Sequence, residues 1–135
     1  MHDEYTDAAE AWLARFLEAW NSADLEAVRA ELHYPHVTIG PAGQVIVAET
    51  ASEFRTDFEQ MREREGWASS SFEALTATSS SPTKVHFQCT FKRFHEDGTL
   101  YGSGRVLYIV TEQEGHWGMQ LRSGVPDAAL QAARS

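Results

Sequence analysis

The sequence predicts a single α+β domain in which a curved antiparallel sheet of about six strands wraps on three helices. Apolar residues recur at helical spacing in the first half of the chain, and apolar and polar residues alternate in the second half. Helices therefore precede a run of strands, which is typical of this fold class. The 135 residues are enough for one domain with its own core. We place the domain at residues 1–125 and a tail at 126–135.

An amphipathic helix is predicted between Thr6 and Trp20. Its apolar positions are Ala9, Trp12, Leu13, Phe16, Leu17 and Trp20. Asp7 and Glu10 have the spacing of a capping box, so we expect the helix to begin there.

A short helix, two strands and a third helix are predicted next. The predicted elements are a short helix capped by Asp24 and running to Leu32, a strand ending at Ile39, a strand over Gln44–Glu49, and a helix that ends at Gly66. Thr50 and Glu53 form a capping box at the start of that third helix. The GPAG turn from Gly40 to Gly43 joins the two strands.

The pattern of residues after Gly66 predicts four strands in a meander. They are predicted over Trp67–Thr78, around Val85 to Phe91, over Leu100–Glu112, and through Trp117, Met119 and Leu121. Cys89 lies in an apolar alternation and is expected to be a core thiol. The residues after Pro126 predict a short Ala-rich helix or a frayed end.

Composition excludes several classes of partner. Twenty acidic residues against eleven basic ones give a net charge of −9, which repels nucleic acid and anionic membranes. No apolar run approaches the roughly 20 residues of a membrane span. The one cysteine excludes an intrachain disulfide and favours a reducing compartment, and the acidic start is unlike a signal peptide. We therefore expect a cytoplasmic protein.

One segment carries a family resemblance. FLEAWNSADLEAVRAELH, from Phe16 to His33, leads into PHVTIGPAG, from Pro35 to Gly43. This order resembles the nuclear transport factor two-like superfamily, which includes SnoaL-like polyketide cyclases, ketosteroid isomerase and scytalone dehydratase. The resemblance covers about Thr6 to Val125. It implies a cystatin-like cone, closed by helices, with a pocket for small and often apolar molecules.

Comparison with the isomerase branch predicts that its chemistry is missing. That branch uses a tyrosine on the first helix, an aspartate base after the first strand, and a protonated aspartic acid on a late strand. The resemblance places Phe16, Gly40 and Leu107 at these positions. None of the three can donate a hydrogen bond to an oxyanion or accept a proton from a substrate.

The same resemblance implies a set of pocket residues. If Gly40 faces the pocket, strand alternation sends Thr38, His36 and Tyr34 the same way. The implied ligand-binding residues are Trp12, Phe16, Trp20, Tyr34, His36, Thr38, Leu107 and Ile109. They form an aromatic and apolar wall with few polar groups, which suits a small hydrophobic ligand.

No cofactor and no metal are expected. His33 and His36 are three residues apart on a strand and should face opposite ways, as should His86 and Cys89. Arg122 could anchor a carboxylate, but its neighbours Gln120 and Gly118 favour a solvent or dimer face.

A homodimer through the outer sheet face is expected. The strand from Arg105 to Thr111 is apolar on both faces, so both should be covered. Leu107 and Ile109 are assigned to the pocket, which leaves Val106, Tyr108 and Val110 for a second copy of the sheet.

Three functions remain open from the sequence. The leading hypothesis is a protein that binds a small hydrophobic molecule. The alternative is a lyase, isomerase or cyclase of the same superfamily that uses His36 as general acid or base, since histidine titrates near neutral pH. The third is a structural dimer module whose cavity is filled by its own tryptophans.

Overall fold

Helices and strands follow the predicted order. The computed structural model describes residues 3–134; residues 1, 2 and 135, which belong to the predicted domain and tail, lie outside the described residues. The elements are α1 (Glu4–Asn21), α2 (Leu25–Ala30), β1 (Leu32–Ile39), β2 (Val45–Ala48), a 3-10 helix (Ala51–Glu53), α3 (Phe58–Glu65), β3 (Ser69–Ser80), β4 (Lys84–Phe94), β5 (Leu100–Gln113), β6 (His116–Pro126) and α4 (Ala128–Arg134). The predicted α+β fold is confirmed. In the described chain, no helix is long and apolar enough to cross a membrane.

One six-stranded sheet contains all the strands, in the order β2-β1-β6-β5-β4-β3. The last four strands form the predicted antiparallel meander. β1 pairs antiparallel with β2 but parallel with β6, so the sheet is mixed. A register irregularity between Glu73 and Thr76 interrupts the pairing of β3 with β4, and irregularities of this kind bend a strand.

The N-cap of α1 lies four residues before the predicted one, Asp7. Asp3 is its N-cap, and the Oδ1 atom of Asp3 accepts a hydrogen bond from the backbone N–H of Thr6 at 2.7 Å. Asp7 therefore lies inside the first turn, where its negative charge is favourable to the helix dipole. The Asp24 cap of α2 is confirmed, since its side chain accepts from the backbone N–H groups of Glu26 and Ala27.

The predicted third helix is divided in two. The capping box of Thr50 and Glu53 is present, but it closes only a 3-10 turn. Phe54 then leaves in extended conformation, and α3 begins after a second cap, Asp57, whose side chain accepts from the backbone N–H of Gln60. Gly66 ends α3 with a φ of 71°, as its helix-ending role requires.

The predicted faces of β5 are wrong. Val106, Tyr108 and Val110 are at most 3% exposed in the core, whereas Leu107 and Ile109 are half-buried on the opposite face of the sheet. Both faces are apolar in sequence, so alternation alone does not decide which one points inward. The resemblance set Leu107 at a pocket position and therefore implied the wrong inward face for β5.

Trp12 joins α1 to the entrance of the sheet. Its side chain is fully buried and stacks on Phe16 with ring centroids 5.3 Å apart. The indole N–H donates to the backbone carbonyl of Glu31 at 2.8 Å, and the backbone N–H of Met119 donates to the same carbonyl at 3.0 Å. One helix, one loop and one strand are therefore held at a single point.

We expect Trp12→Ala to lower the free energy of unfolding by about 3–5 kcal/mol, because it empties a fully buried aromatic site. Trp12→Phe should cost less than half as much, since it keeps a ring and leaves the Glu31 carbonyl with its second donor. Urea unfolding measures both. Glu18→Ala, at an exposed site of the same helix, should change the stability by less than about 0.5 kcal/mol. Equal losses for the two Trp12 variants would contradict this account.

Candidate ligand-binding cavity

A cavity of about 490 Å³ lies between α1, the inner face of the sheet and the extended segment that precedes α3. Its apolar wall includes Phe16, Trp20, Phe54, Phe72, Tyr108 and Met119. Its polar groups include His36, Thr38, Ser70, Arg93, Arg122 and Arg134. Ile46, Glu53 and Arg55 are solvent-exposed lining residues, so they mark the mouth.

Aromatic rings brace one another along the apolar wall. Phe16 from α1, Phe72 from β3 and Tyr108 from β5 have ring centroids 5.8 to 6.4 Å apart. Trp20, one helical turn after Phe16, packs edge-on against Phe58 at 5.0 Å. Since each ring is fixed by others behind it, the wall keeps its shape without a ligand.

Four of the eight predicted ligand-binding residues line the cavity: Phe16, Trp20, His36 and Thr38. Trp12 does not, because it is buried behind Phe16. Tyr34 does not either, and its hydroxyl donates to the backbone carbonyl of Arg29 at 2.9 Å. The register of β1 against β6 shifts between Leu32 and Val37, so simple alternation fails at Tyr34.

Leu107 and Ile109 were also predicted to line the cavity, and this placement is wrong. They lie on the outer face of β5, and Tyr108 between them faces the cavity instead. Burial raises the pKa of the Tyr108 phenol to about 12, although the nearby positive charge of Arg122 lowers this pKa in part. The hydroxyl therefore stays protonated at neutral pH and remains a hydrogen-bond donor.

His36 is the titratable imidazole of this cavity. Its Nδ1 atom lies 3.2 Å from the backbone carbonyl oxygen of Met119, and because a carbonyl only accepts, Nδ1 carries the proton. Nε2 is then the acceptor of the ring. The pKa of His36 is lowered from its ordinary value, first by burial and then by the positive charge of Arg122, while the bond to Met119 acts the other way. His36 is thus neutral at pH 7.

Arg122 was predicted to face solvent or a dimer partner, and the structure corrects this. β5 and β6 pair Val110 with Met119 and Ile109 with Leu121, so β6 has one extra residue, Gln120. This bulge reverses the alternation after Met119 and turns Arg122 inward. Its guanidinium carbon lies 5.7 Å from the centroid of the Phe91 ring. A bulge depends on pairing with another strand, so the local sequence gave no sign of it.

Arg93, a buried arginine of the cavity, pairs with Glu65. One carboxylate oxygen of Glu65 accepts from Arg93 at 2.9 Å and from the Tyr101 hydroxyl at 2.8 Å. The second oxygen lies 3.6 Å from the guanidinium of Arg134. Burial and the contact with Glu65 raise the pKa of Tyr101. Among residues 3–134, no carboxylate oxygen lies within 4.0 Å of the guanidinium of Arg122.

His33 and Cys89 are not among the lining residues of the cavity. His33 bonds Thr111 at 2.9 Å through Nδ1, away from the bond that His36 makes to Met119. Cys89 is buried in the core, and burial raises the pKa of its thiol to about 11. Within the described part of the chain, no three side chains of the ligating types come together as a metal site.

We expect the stability of the protein to fall as the pH drops below the ordinary histidine pKa of 6.5. The folded pKa of His36 lies below that value, so in this range the unfolded chain binds a proton that the folded chain does not. The free energy of unfolding should therefore decrease between about pH 7.5 and about pH 5.5. Urea unfolding across this range measures it.

His36→Gln should reduce this pH dependence while a glutamine amide still offers a donor to the Met119 carbonyl. Some dependence should remain in the variant, because burial and the charge of His116 also lower the pKa of His33. An unchanged pH dependence in His36→Gln would contradict the assigned neutral state.

Comparisons with known proteins agree with this architecture. Residues 3–121 match the model of the family described as NTF2-like protein (DUF6841). A cystatin-like protein of unknown function from Nostoc punctiforme is 20% identical with a TM-score of 0.73, and 92% of each chain is covered. A ketosteroid isomerase-like protein from Erwinia carotovora atroseptica is 18% identical with a TM-score of 0.66, covering 94% of this chain and 99% of the other. No curated protein matches. The family match over residues 3–121 places this chain in the NTF2-like family DUF6841.

Proposed function

We propose that this protein binds a small hydrophobic molecule in the cavity beneath α1. The observation that carries the proposal is an aromatic-lined space of about 490 Å³ with solvent-exposed residues at its mouth. Sites for small molecules usually have volumes of about 300–1,000 Å³ and mostly apolar walls. An apolar ligand in this space would make dispersion contacts with the atoms of the wall.

The position of the tryptophans supports binding over a purely structural module. A self-filled cavity would need Trp12 or Trp20 to extend across it. Trp12 is buried behind the wall, and Trp20 packs sideways against Phe58 and Trp67. The space beside Phe16 and Phe72 is thus left for another molecule.

We expect N-phenyl-1-naphthylamine, a neutral fluorescent probe, to bind this cavity. Thr38 lines it, so Thr38→Trp should fill part of the space and weaken probe binding by roughly tenfold or more. Fluorescence titration measures the affinity.

Thr78→Trp is the matched control, because Thr78 is an exposed threonine on β3 outside the cavity. It should bind the probe like the unmodified protein. Thermal melting of both variants shows whether they are folded. If the unmodified protein does not bind the probe, or if both variants bind it equally well, the cavity is not the site.

A catalytic role for the same cavity is a second candidate, favoured by His36. The neutral imidazole has an acceptor nitrogen and lines the cavity beside the protonated Tyr108. One of the similar structures is of a ketosteroid isomerase-like protein. If a substrate is turned over, His36→Gln should lower the rate by roughly a hundredfold with the fold intact. A mere change of affinity would favour binding alone.

We also propose that the protein forms a homodimer through the outer sheet face, with a revised set of residues. Register places Leu121 between Val37 and Ile109 on this face, and Val47 pairs with Val37. These side chains run across β2, β1, β6 and β5, and Val47 is 46% exposed. An apolar stripe on an exposed sheet is favourably covered by a second copy.

Sedimentation at micromolar concentration should give twice the 15.1 kDa mass of the chain. Leu121→Arg places a charge in the middle of the stripe and should shift the protein toward monomer. Ala14→Arg adds the same charge at an exposed site of α1 and should have no effect. A monomeric unmodified protein would contradict the dimer.

A further inference from the structure

We propose that the ligand is a hydrophobic acid whose carboxylate is bound by Arg122 while its ring body contacts the aromatic wall. This inference rests on the proposed function, since it names the class of molecule that the cavity takes. Arg122 lines the cavity and, among the described residues, has no carboxylate within 4.0 Å of its guanidinium.

The other arginines near the cavity are accounted for. Glu65 contacts both Arg93 and Arg134, and Arg55 is exposed at the mouth. Of the lining acids, Glu53 lies at the mouth and uses its carboxylate to accept from the backbone N–H groups of Glu49 and Thr50. Among the described residues, Arg122 is thus left without a carboxylate within 4.0 Å.

The guanidinium of Arg122 is held in place by its neighbours. It lies over the Phe91 ring, a contact that fixes the plane of the group. It also passes over Gly124, where an added Cβ would lie 3.1 Å from each terminal nitrogen. Glycine at position 124 therefore leaves the room that the guanidinium occupies. A fixed planar fork matches a carboxylate, with two parallel N–H···O bonds.

The surroundings favour a monoanionic acid. The Tyr108 hydroxyl is protonated and offers a second donor near Arg122, while His36 is neutral and contributes no charge. The carboxylate of Glu65 contacts Arg93 and Arg134, which leaves the fork of Arg122 to bind the acid. The rest of the wall is aromatic and suits an apolar ring.

The test compares 1-naphthoate with 1-naphthamide, which have the same ring system and differ in charge. Isothermal titration should show that the unmodified protein binds the acid roughly ten- to a hundredfold more tightly than the amide. In Arg122→Gln this preference should fall to about one, with the affinity for the amide unchanged. Arg64→Gln, which removes an exposed charge on α3 outside the cavity, should keep the preference.

Each outcome distinguishes the two proposals. If acid and amide bind the unmodified protein equally, or if the preference survives in Arg122→Gln, the role of Arg122 is wrong and the hydrophobic site stands. If neither compound binds although N-phenyl-1-naphthylamine does, the class of ligand proposed here is wrong and the hydrophobic site stands; if none of the three binds, both proposals are wrong. The comparison of acid with amide on the unmodified protein needs no variant, so it decides the matter even if Arg122→Gln does not fold.

Discussion

The buried carboxylate of Glu65 is the interaction on which the shape of the cavity depends. Glu65 is the last residue of α3, and its carboxylate contacts Arg93 of β4, Tyr101 of β5 and Arg134 of α4. Four elements distant in sequence are thereby joined through one side chain that is 6% exposed. Removing one partner of a buried ion pair costs about 3–5 kcal/mol, because the other charge stays buried and unpaired. The bare guanidinium of Arg93 would then face the same aromatic space that Phe91 lines.

The charge balance around Glu65 also sets the chemistry of the cavity. One acid is shared by two arginines: it accepts a hydrogen bond from Arg93 and forms an ion pair with Arg134 at the cavity wall. Arg122, on the strand next to β5, lies outside this group. A cation beside apolar walls is costly unless water or an anion solvates it, so its surroundings favour an anionic ligand over a neutral one. The aromatic wall and Arg122 are therefore complementary parts of one site.

Local signals were enough to predict most of the fold. Three predicted features depend on residues within one element, and the structure contains all three. They are the apolar stripe from Ala9 to Trp20, the Asp24 cap, and the buried positions Val85 and Phe87, which alternate with more exposed residues. Errors arose where strands meet. The faces of β5 and the direction of Arg122 depend on register, and the extra residue Gln120 reverses the alternation of β6. Phe16, Trp20, His36 and Thr38 could thus be placed at the cavity from sequence, whereas Tyr108 and Arg122 could not.

The reversal of β5 changes what the comparison with the isomerase branch means. The resemblance set Leu107 at the position of an oxyanion donor, but Leu107 lies outside the cavity and the inward residue is Tyr108, which is a donor. Phe16 does line the cavity and adds no polar group, and Gly40 is not among the lining residues. The donors of the site thus include Tyr108 and Arg122, and His36 adds an acceptor nitrogen. Donors without a carboxylate base stabilise an anion but do not remove a proton efficiently, so this arrangement supports recognition of an anion more strongly than it supports catalysis.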